Sequence, residues 1–307
     1  MTPEAPAPSA PVRRMQPSAA TDRPVVIVAL GAVFAAAILV TTLRHPRGIV
    51  TSADPGYAPV PLPLLLVPAL LSILLTLLLT RPGGRRGTAS PSAVKTLRPV
   101  GARRETAGLL GLTLAFPLLV PLLPLPEDYV LLKAALFLVI PVLSLWLLAR
   151  RRGASVRIAR PGLRWWVPLA PALLLGTLST VGPFSNGQPD QWPPLATLLI
   201  AAIVTAITAG LGEELLYRRF LQTRLEALLG PVTGLLLASL LFGLMHVASH
   251  GAGSLGESAA QVIALQGTTG IALGVIWMRT RRLGAIVLAH VLLNGFGVLL
   301  HVLSLLG

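Results

Sequence analysis

Residues 193–224 read PPLATLLIAAIVTAITAGLGEELLYRRFLQTR: an apolar run passes without a loop into two adjacent carboxylates, Glu213 and Glu214. The part from Pro193 to Leu211 carries no charge and is long enough to cross a bilayer, which takes about 18–20 apolar residues. The whole chain has the same character. Of its 307 residues 54% are hydrophobic and 12% charged, with a mean hydropathy of +0.77, outside the range of soluble domains. The expected fold class is therefore all-α, a polytopic transmembrane helix bundle. Ionised groups at the end of a span are expensive, so Glu213 and Glu214 pose the functional question.

Nine apolar runs are expected as spans: Val25 to Leu43, Ala58 to Thr80, Thr106 to Pro124 and Tyr129 to Ala149, then runs beginning at Trp165, Leu195, Pro231 and Ala259, and a last one from Gly284 to Leu306. The Pro-rich runs PVPLPLLLVP and PLLVPLLPLP leave kinked or partly re-entrant segments open, which makes the count eight to nine. Residues 1–24, rich in Pro, Ala and Ser, are expected to be a disordered cytoplasmic tail, and the late, long first apolar run speaks against a cleaved signal peptide. All Lys and Arg except Arg44, Arg47 and Lys133 fall in the tail or in alternate connections, whereas Glu127, Asp128, Asp190 and Glu257 lie on the other side. The positive-inside rule then puts the N-terminus in the cytoplasm and the C-terminus outside. The formal charge of +14 is spent on this orientation, so nucleic acid is not an expected partner. The absence of cysteine excludes disulfides, thiolate metal ligands and a cysteine nucleophile.

Ionisable or amide side chains enter the later spans at three places: Glu213 with Glu214, FGLMHVASH from Phe242 to His250, and HVLLN from His290 to Asn294. In the first five spans the one ionisable side chain is Lys133, read as a snorkelling residue near a helix end. If Gly230 and Pro231 turn an antiparallel hairpin, Glu213 and His246 lie level, at nearly equal spacing from the turn. Counted from Arg218, with Arg218, Arg219, Arg224 and Glu226 taken to project into the cytoplasm, Glu213 is about 8 Å inside the membrane. Counted from Arg282, His290 is about 12 Å inside. Above His246 the stretch SHGAGSLGES would lie partly at membrane depth, which is tolerable beside a cavity.

Spacing of four groups side chains on one helix face. Glu214 and Arg218 can pair, Phe242 sits under His246, and His290 and Asn294 point the same way. Glu213 has no intrahelical cation; partial desolvation and a neighbouring imidazole suit it to general-base work near neutral pH. His290 and Asn294 offer N–H donors to an oxygen that becomes negative. Taken singly, these residues also fit an interfacial ion pair or interhelical hydrogen bonds. His301, near the outer end of its span, His45 in a loop, and Trp165-Trp166 in an interfacial belt are read as structural, as are Thr205, Thr208 and Ser239.

Glu213-Glu214-x-x-x-Arg218, then Phe242-x-x-x-His246, then His290-x-x-x-Asn294, on separate hydrophobic helices, resembles the CAAX-processing and bacteriocin-processing (CPBP, or Abi) intramembrane proteases, which include the type II CAAX prenyl endopeptidases. The resemblance covers residues 195–306 within an expected protease domain at 161–307; residues 25–160 are expected to form N-terminal spans of unknown role. It implies that Glu213 and His246 activate the attacking water, that His290 and Asn294 stabilise the oxyanion, and that Glu214, Arg218 and Phe242 support the site. The implied partner is a membrane-associated or lipidated protein or peptide, cleaved near the cytoplasmic face of the cell membrane. No cofactor is required on this reading, since H-E-x-x-H is missing; zinc is the alternative, with Glu213, His246, His250 and His290 as candidate ligands. Two other function classes stay open: a noncatalytic immunity or regulatory protein of the same fold, and a small-solute transporter with a Glu/His proton relay, although no internal repeat supports inverted halves.

Overall fold

The computed structural model describes residues 20–51, 56–81, 94–189, 191–250 and 253–306, without the side chains of Pro126 and His250. Residues 1–19 of the expected tail, Arg85, Arg86 and Asp190 lie outside the described residues. Among the described residues eight helices are long and apolar enough to cross a membrane: α1 (Pro24–Arg44), α2 (Leu62–Leu79), α3 (Pro99–Leu122), α4 (Glu127–Arg152), α6 (Leu195–Leu229), α7 (Pro231–Ser249), α8 (Leu255–Thr280) and α9 (Leu283–Ser304). Between α4 and α6 lies the shorter apolar α5 (Leu169–Leu178). The chain is a multi-pass, all-α membrane protein.

The run beginning at Trp165 is the one whose form differs from expectation. Its helix lasts ten residues, about 15 Å at the α-helical rise, too short to cross alone. The chain nevertheless climbs beside α9. Gly176 packs on Ala289 and Leu292, Gln188 reaches Gly297, and Trp192 stacks on His301 with ring centroids 4.4 Å apart. This crossing is completed by irregular backbone packed against protein, the setting in which a bilayer tolerates it.

The loops sort into two rims. On the arginine-rich rim, strand β1 (Val94–Thr96) pairs antiparallel with β2 (Val156–Ile158), and Thr96 Oγ1 donates to Ala227 O at 2.7 Å. Arg279 donates to Thr80 Oγ1 and O, both at 3.0 Å. Asp22 caps α7 through the Val232 and Thr233 amides, at 3.0 and 2.9 Å, so this end of the expected tail is tied down. On the opposite rim, Asn186 Nδ2 donates to Ile49 O and Ala58 O, while its Oδ1 accepts from Thr51 N and Oγ1. These are the two groups of loops into which the basic residues divide the sequence.

Three apolar clusters hold the bundle, and each mixes early and late helices. Leu109, Phe116, Leu136 and Phe137 pack with Leu216, Tyr217, Phe242 and Met245. Ala69 joins Ala172, Leu175, Trp277 and Ala289; Phe34, Leu62 and Leu66 join Ile263 and Ala264. The Pro-rich runs make helix ends: Pro63 sits in the first turn of α2 and Pro68 inside it, and α3 tightens to a 3₁₀ turn at Val120–Leu122. Among the described residues three helices carry π-helical stretches: α4 at Ala135–Val139, α6 at Ala206–Gln222 and α8 at Ile263–Gly267.

Candidate active site

The π-helical stretch of α6 carries Glu213, Glu214, Tyr217 and Arg218 on turns widened to i→i+5, a distortion found preferentially at functional sites. Small residues let neighbours close on it. A Cβ on Gly210 would come within 2.6 Å of Val291 Cγ2 of α9, so only glycine permits this approach. Gly212 lies against Phe137 and Leu138 of α4. One neighbour thereby delivers His290 and the other Lys133.

The hairpin inferred from Gly230 and Pro231 is present. Gly230 turns with φ 97°, and Tyr217 and Phe242, nearly equidistant from it, meet edge to face at 5.3 Å. Phe242 is the hub of the site. Its ring faces His246 at 5.1 Å and His290 at 6.0 Å, and the Arg218 guanidinium lies 4.0 Å from its centroid, a favourable cation–π geometry.

Around this ring the charges interlock. His290 Nδ1 is 2.7 Å from Glu214 Oε1, and its Nε2 is 3.7 Å from Glu213 Oε2. Because an ionised carboxylate only accepts, Nδ1 carries the proton in that bond, and the ring acts through Nε2. Arg218 Nε lies 3.5 Å from Glu214 Oε2. Lys133 Nζ reaches Glu213 Oε1 at 2.6 Å. His246 Nδ1 is 2.8 Å from Phe242 O; a carbonyl accepts only, so this ring too presents Nε2. Four buried atoms of the cluster, Glu213 Oε2, Glu214 Oε2, Tyr217 OH and Arg218 Nη1, have no hydrogen-bond partner among the described residues. Buried polar atoms are nearly always satisfied, so these four carry unused hydrogen-bonding capacity within the cluster.

Of the residues singled out in the sequence, Glu213, Glu214, Arg218, Phe242, His246 and His290 come together. Asn294 is exposed on α9, one turn beyond His290, and makes no hydrogen bond among the described residues. The side chain of His250 lies outside the description. Two expectations need correction. Lys133 does not snorkel: it is 7% exposed and bonded to Glu213. Arg218, Arg224 and Glu226 do not project into solvent; they are buried within the protein, with Arg224 Nε 2.8 Å from Glu105 and Glu226 paired with Arg281. Arg218 therefore is no marker of the membrane surface. The depth of the site follows from His290, eight residues above Arg282, or about 12 Å.

A cation fits this arrangement poorly. Among the described residues no three His, Asp or Glu side chains are grouped to hold a metal ion. Of the candidate ligands, Glu213 already holds the Lys133 ammonium, which would repel a metal. His290 offers only Nε2, its Nδ1 being engaged by Glu214, an arrangement metal-ligating histidines also use, so the Lys133 ammonium is what weighs against a cation. No step is derived through zinc.

Residues 195–296 match the family model Rce1-like, described as type II CAAX prenyl endopeptidase Rce1-like. The matched segment, about a third of the chain, is similar to that family. The match supports the resemblance to the CPBP/CAAX proteases reached from the motif residues, all of which lie inside it. No curated protein and no solved structure matches. Lys133 stands outside the Rce1-like segment, and its spacing from any motif gives no signal. The hint available in the sequence was that it is the one ionisable side chain in the first five spans.

Proposed function

We propose that the protein is an intramembrane endopeptidase that hydrolyses a peptide bond of a membrane-associated or lipidated chain, with Glu213 as general base. The observation that carries this reading is the division of labour in one buried carboxylate: Oε1 is bound by Lys133, and Oε2 is left without a hydrogen bond beside His290 Nε2. Oε2 takes a proton from water as the water oxygen attacks the peptide carbonyl carbon. His246, basic at Nε2, assists that transfer and passes the proton to the departing amide nitrogen. His290, its Nδ1–H held by Glu214, donates through Nε2 in the imidazolium form to the developing oxyanion, and Asn294 supplies a second donor from the next turn of α9. The products are a carboxylate and an amine. The arginine-rich rim supports a site in the cytoplasmic half of the bilayer by the positive-inside rule, here taken as the cell membrane. A site about 12 Å below that rim suits a substrate held in the membrane by a lipid or an apolar segment.

The test uses full-length protein in proteoliposomes with an internally quenched, farnesylated CAAX peptide and an unlipidated apolar peptide as probes. Glu213→Gln, which keeps shape and removes the base, is expected to abolish cleavage without altering folding. Full cleavage by Glu213→Gln refutes the assignment of the base. Uptake of small solutes into sealed vesicles, lost in the same variant, would favour the transporter reading instead.

A further inference from the structure

Lys133 belongs to α4, outside the Rce1-like segment, yet its ammonium is 2.6 Å from the carboxylate on which the proposed chemistry turns. Its path there is informative. Lys133 lies six residues into α4, about 9 Å from Glu127, at the end nearer the rim opposite the arginines. Snorkelling would carry the ammonium back to that near rim. It instead runs inward, past the face of Tyr129, 5.5 Å from the ring centroid, to Glu213. Tyr129 is itself braced edge to face on Phe116 at 5.4 Å. The segment Ala135–Val139 that follows is π-helical and packs Phe137 and Leu138 against Gly212, beside Glu213. Phe137 is also in edge contact with Tyr217 at 5.9 Å.

Charge balance requires such a residue. Glu213 and Glu214 bring two negative charges into a buried site, and Arg218, bound to Glu214, offsets one of them. Lys133 offsets the other, so neither carboxylate depends on His290 for its counter-charge, and the Nε2–H of the His290 imidazolium is left for the oxyanion. Without Lys133 the nearest cation for Glu213 would be His290 as an imidazolium, whose Nε2–H would bond to Glu213 Oε2 and tie up both the base and the oxyanion donor.

We infer that Lys133 is a positioning residue for the hydrolytic reaction: by holding Glu213 Oε1 it presents Oε2 to the reacting atoms, and the N-terminal helices thereby complete a site that the Rce1-like segment does not supply alone. The inference rests on the protease reading of Glu213. It goes beyond it in placing part of the machinery in residues that no motif covers.

The experiment compares wild type, K133M, E213Q, K133M/E213Q and K133C in proteoliposomes with the farnesylated, quenched peptide. K133M preserves length and apolar volume but removes the charge. It is expected to lower kcat by about 10²-fold, the loss that follows a misplacement of about 1 Å, with KM nearly unchanged. In K133C, the sole cysteine of the chain, alkylation with 2-bromoethylamine, confirmed by mass, rebuilds an ammonium on a side chain of lysine length and should restore most of kcat. A wild-type kcat in K133M with E213Q inactive overturns the role of Lys133 and leaves the protease reading standing; cleavage unaffected by E213Q overturns both. Failure of the confirmed aminoethyl form to recover activity assigns the loss to packing and also overturns the inference. Thermal melting gives a readout independent of turnover. K133M leaves Glu213 without its ammonium partner and should melt below K133M/E213Q; equal melting of the two shows that the ion pair is not what holds Glu213.

Discussion

Arg281 tests whether the buried charges of the arginine-rich rim are structural pairs. It follows the last turn of α8 in the left-handed region, φ 52° and ψ 31°, the one non-glycine residue with positive φ among those described. That conformation costs a side-chain-bearing residue about 1–2 kcal/mol, and glycine is the usual occupant. Arginine is kept because its guanidinium is needed. Nη1 is 3.3 Å from Glu226 Oε1, Nη2 binds Oε2, and both side chains are buried. Gln222 Nε2 donates to the same carboxylate at 2.8 Å. Removing Arg281 strands Glu226, a loss of about 3–5 kcal/mol for a broken buried pair. Arg281→Gly recovers the backbone cost, so the net destabilisation should be about 1–4 kcal/mol by the same two terms. Replacing Glu226 by Gln in that variant removes the stranded charge and should recover part of the loss. SDS titration of the detergent-solubilised protein, followed by near-UV circular dichroism, measures all three proteins. The reasoning fails if Arg281→Gly is as stable as wild type, because the left-handed backbone would then be a burden without a compensating bond.

Three further outcomes are expected. Asp22→Ala removes the carboxylate that caps α7 and should cost about 1 kcal/mol, with faster hydrogen exchange at the Val232 and Thr233 amides. Asn186→Ala breaks the bonds to Ile49, Thr51 and Ala58 that tie the broken crossing to the α1–α2 loop; at about 1 kcal/mol per bond, moderated by rehydration, it should lose about 2–3 kcal/mol and show earlier proteolysis in residues 45–61. Asn294→Ala, at an exposed position, should leave thermal stability unchanged but lower kcat by about 10²–10³-fold if Asn294 donates to the oxyanion; normal turnover would remove it from the mechanism.

The apolar spans were legible because hydropathy acts over twenty residues at a time, and the Gly230 hairpin because its two arms run at matched spacing, as the contact of Tyr217 with Phe242 shows. Charges were less legible. Arg218, Arg224 and Glu226 follow an apolar run, which locally resembles the point where a helix leaves the bilayer. Their burial depends on partners that local sequence does not display: Glu105 lies 119 residues before Arg224, and Arg281 lies 55 residues after Glu226. The π-helical widening of α6, where α4 and α9 approach Gly212 and Gly210, leaves no periodic signal in the local sequence. Lys133 joins both failures. One lysine near a helix end satisfies the snorkelling rule by position alone, and only the bundle reveals that its ammonium turns inward. Yet two carboxylates in apolar surroundings demand two counter-charges, and Arg218 answers for one. Once Glu214 is paired with Arg218, charge balance sends the search for the partner of Glu213 to the rest of the spans, where Lys133 is the sole cation of the first five.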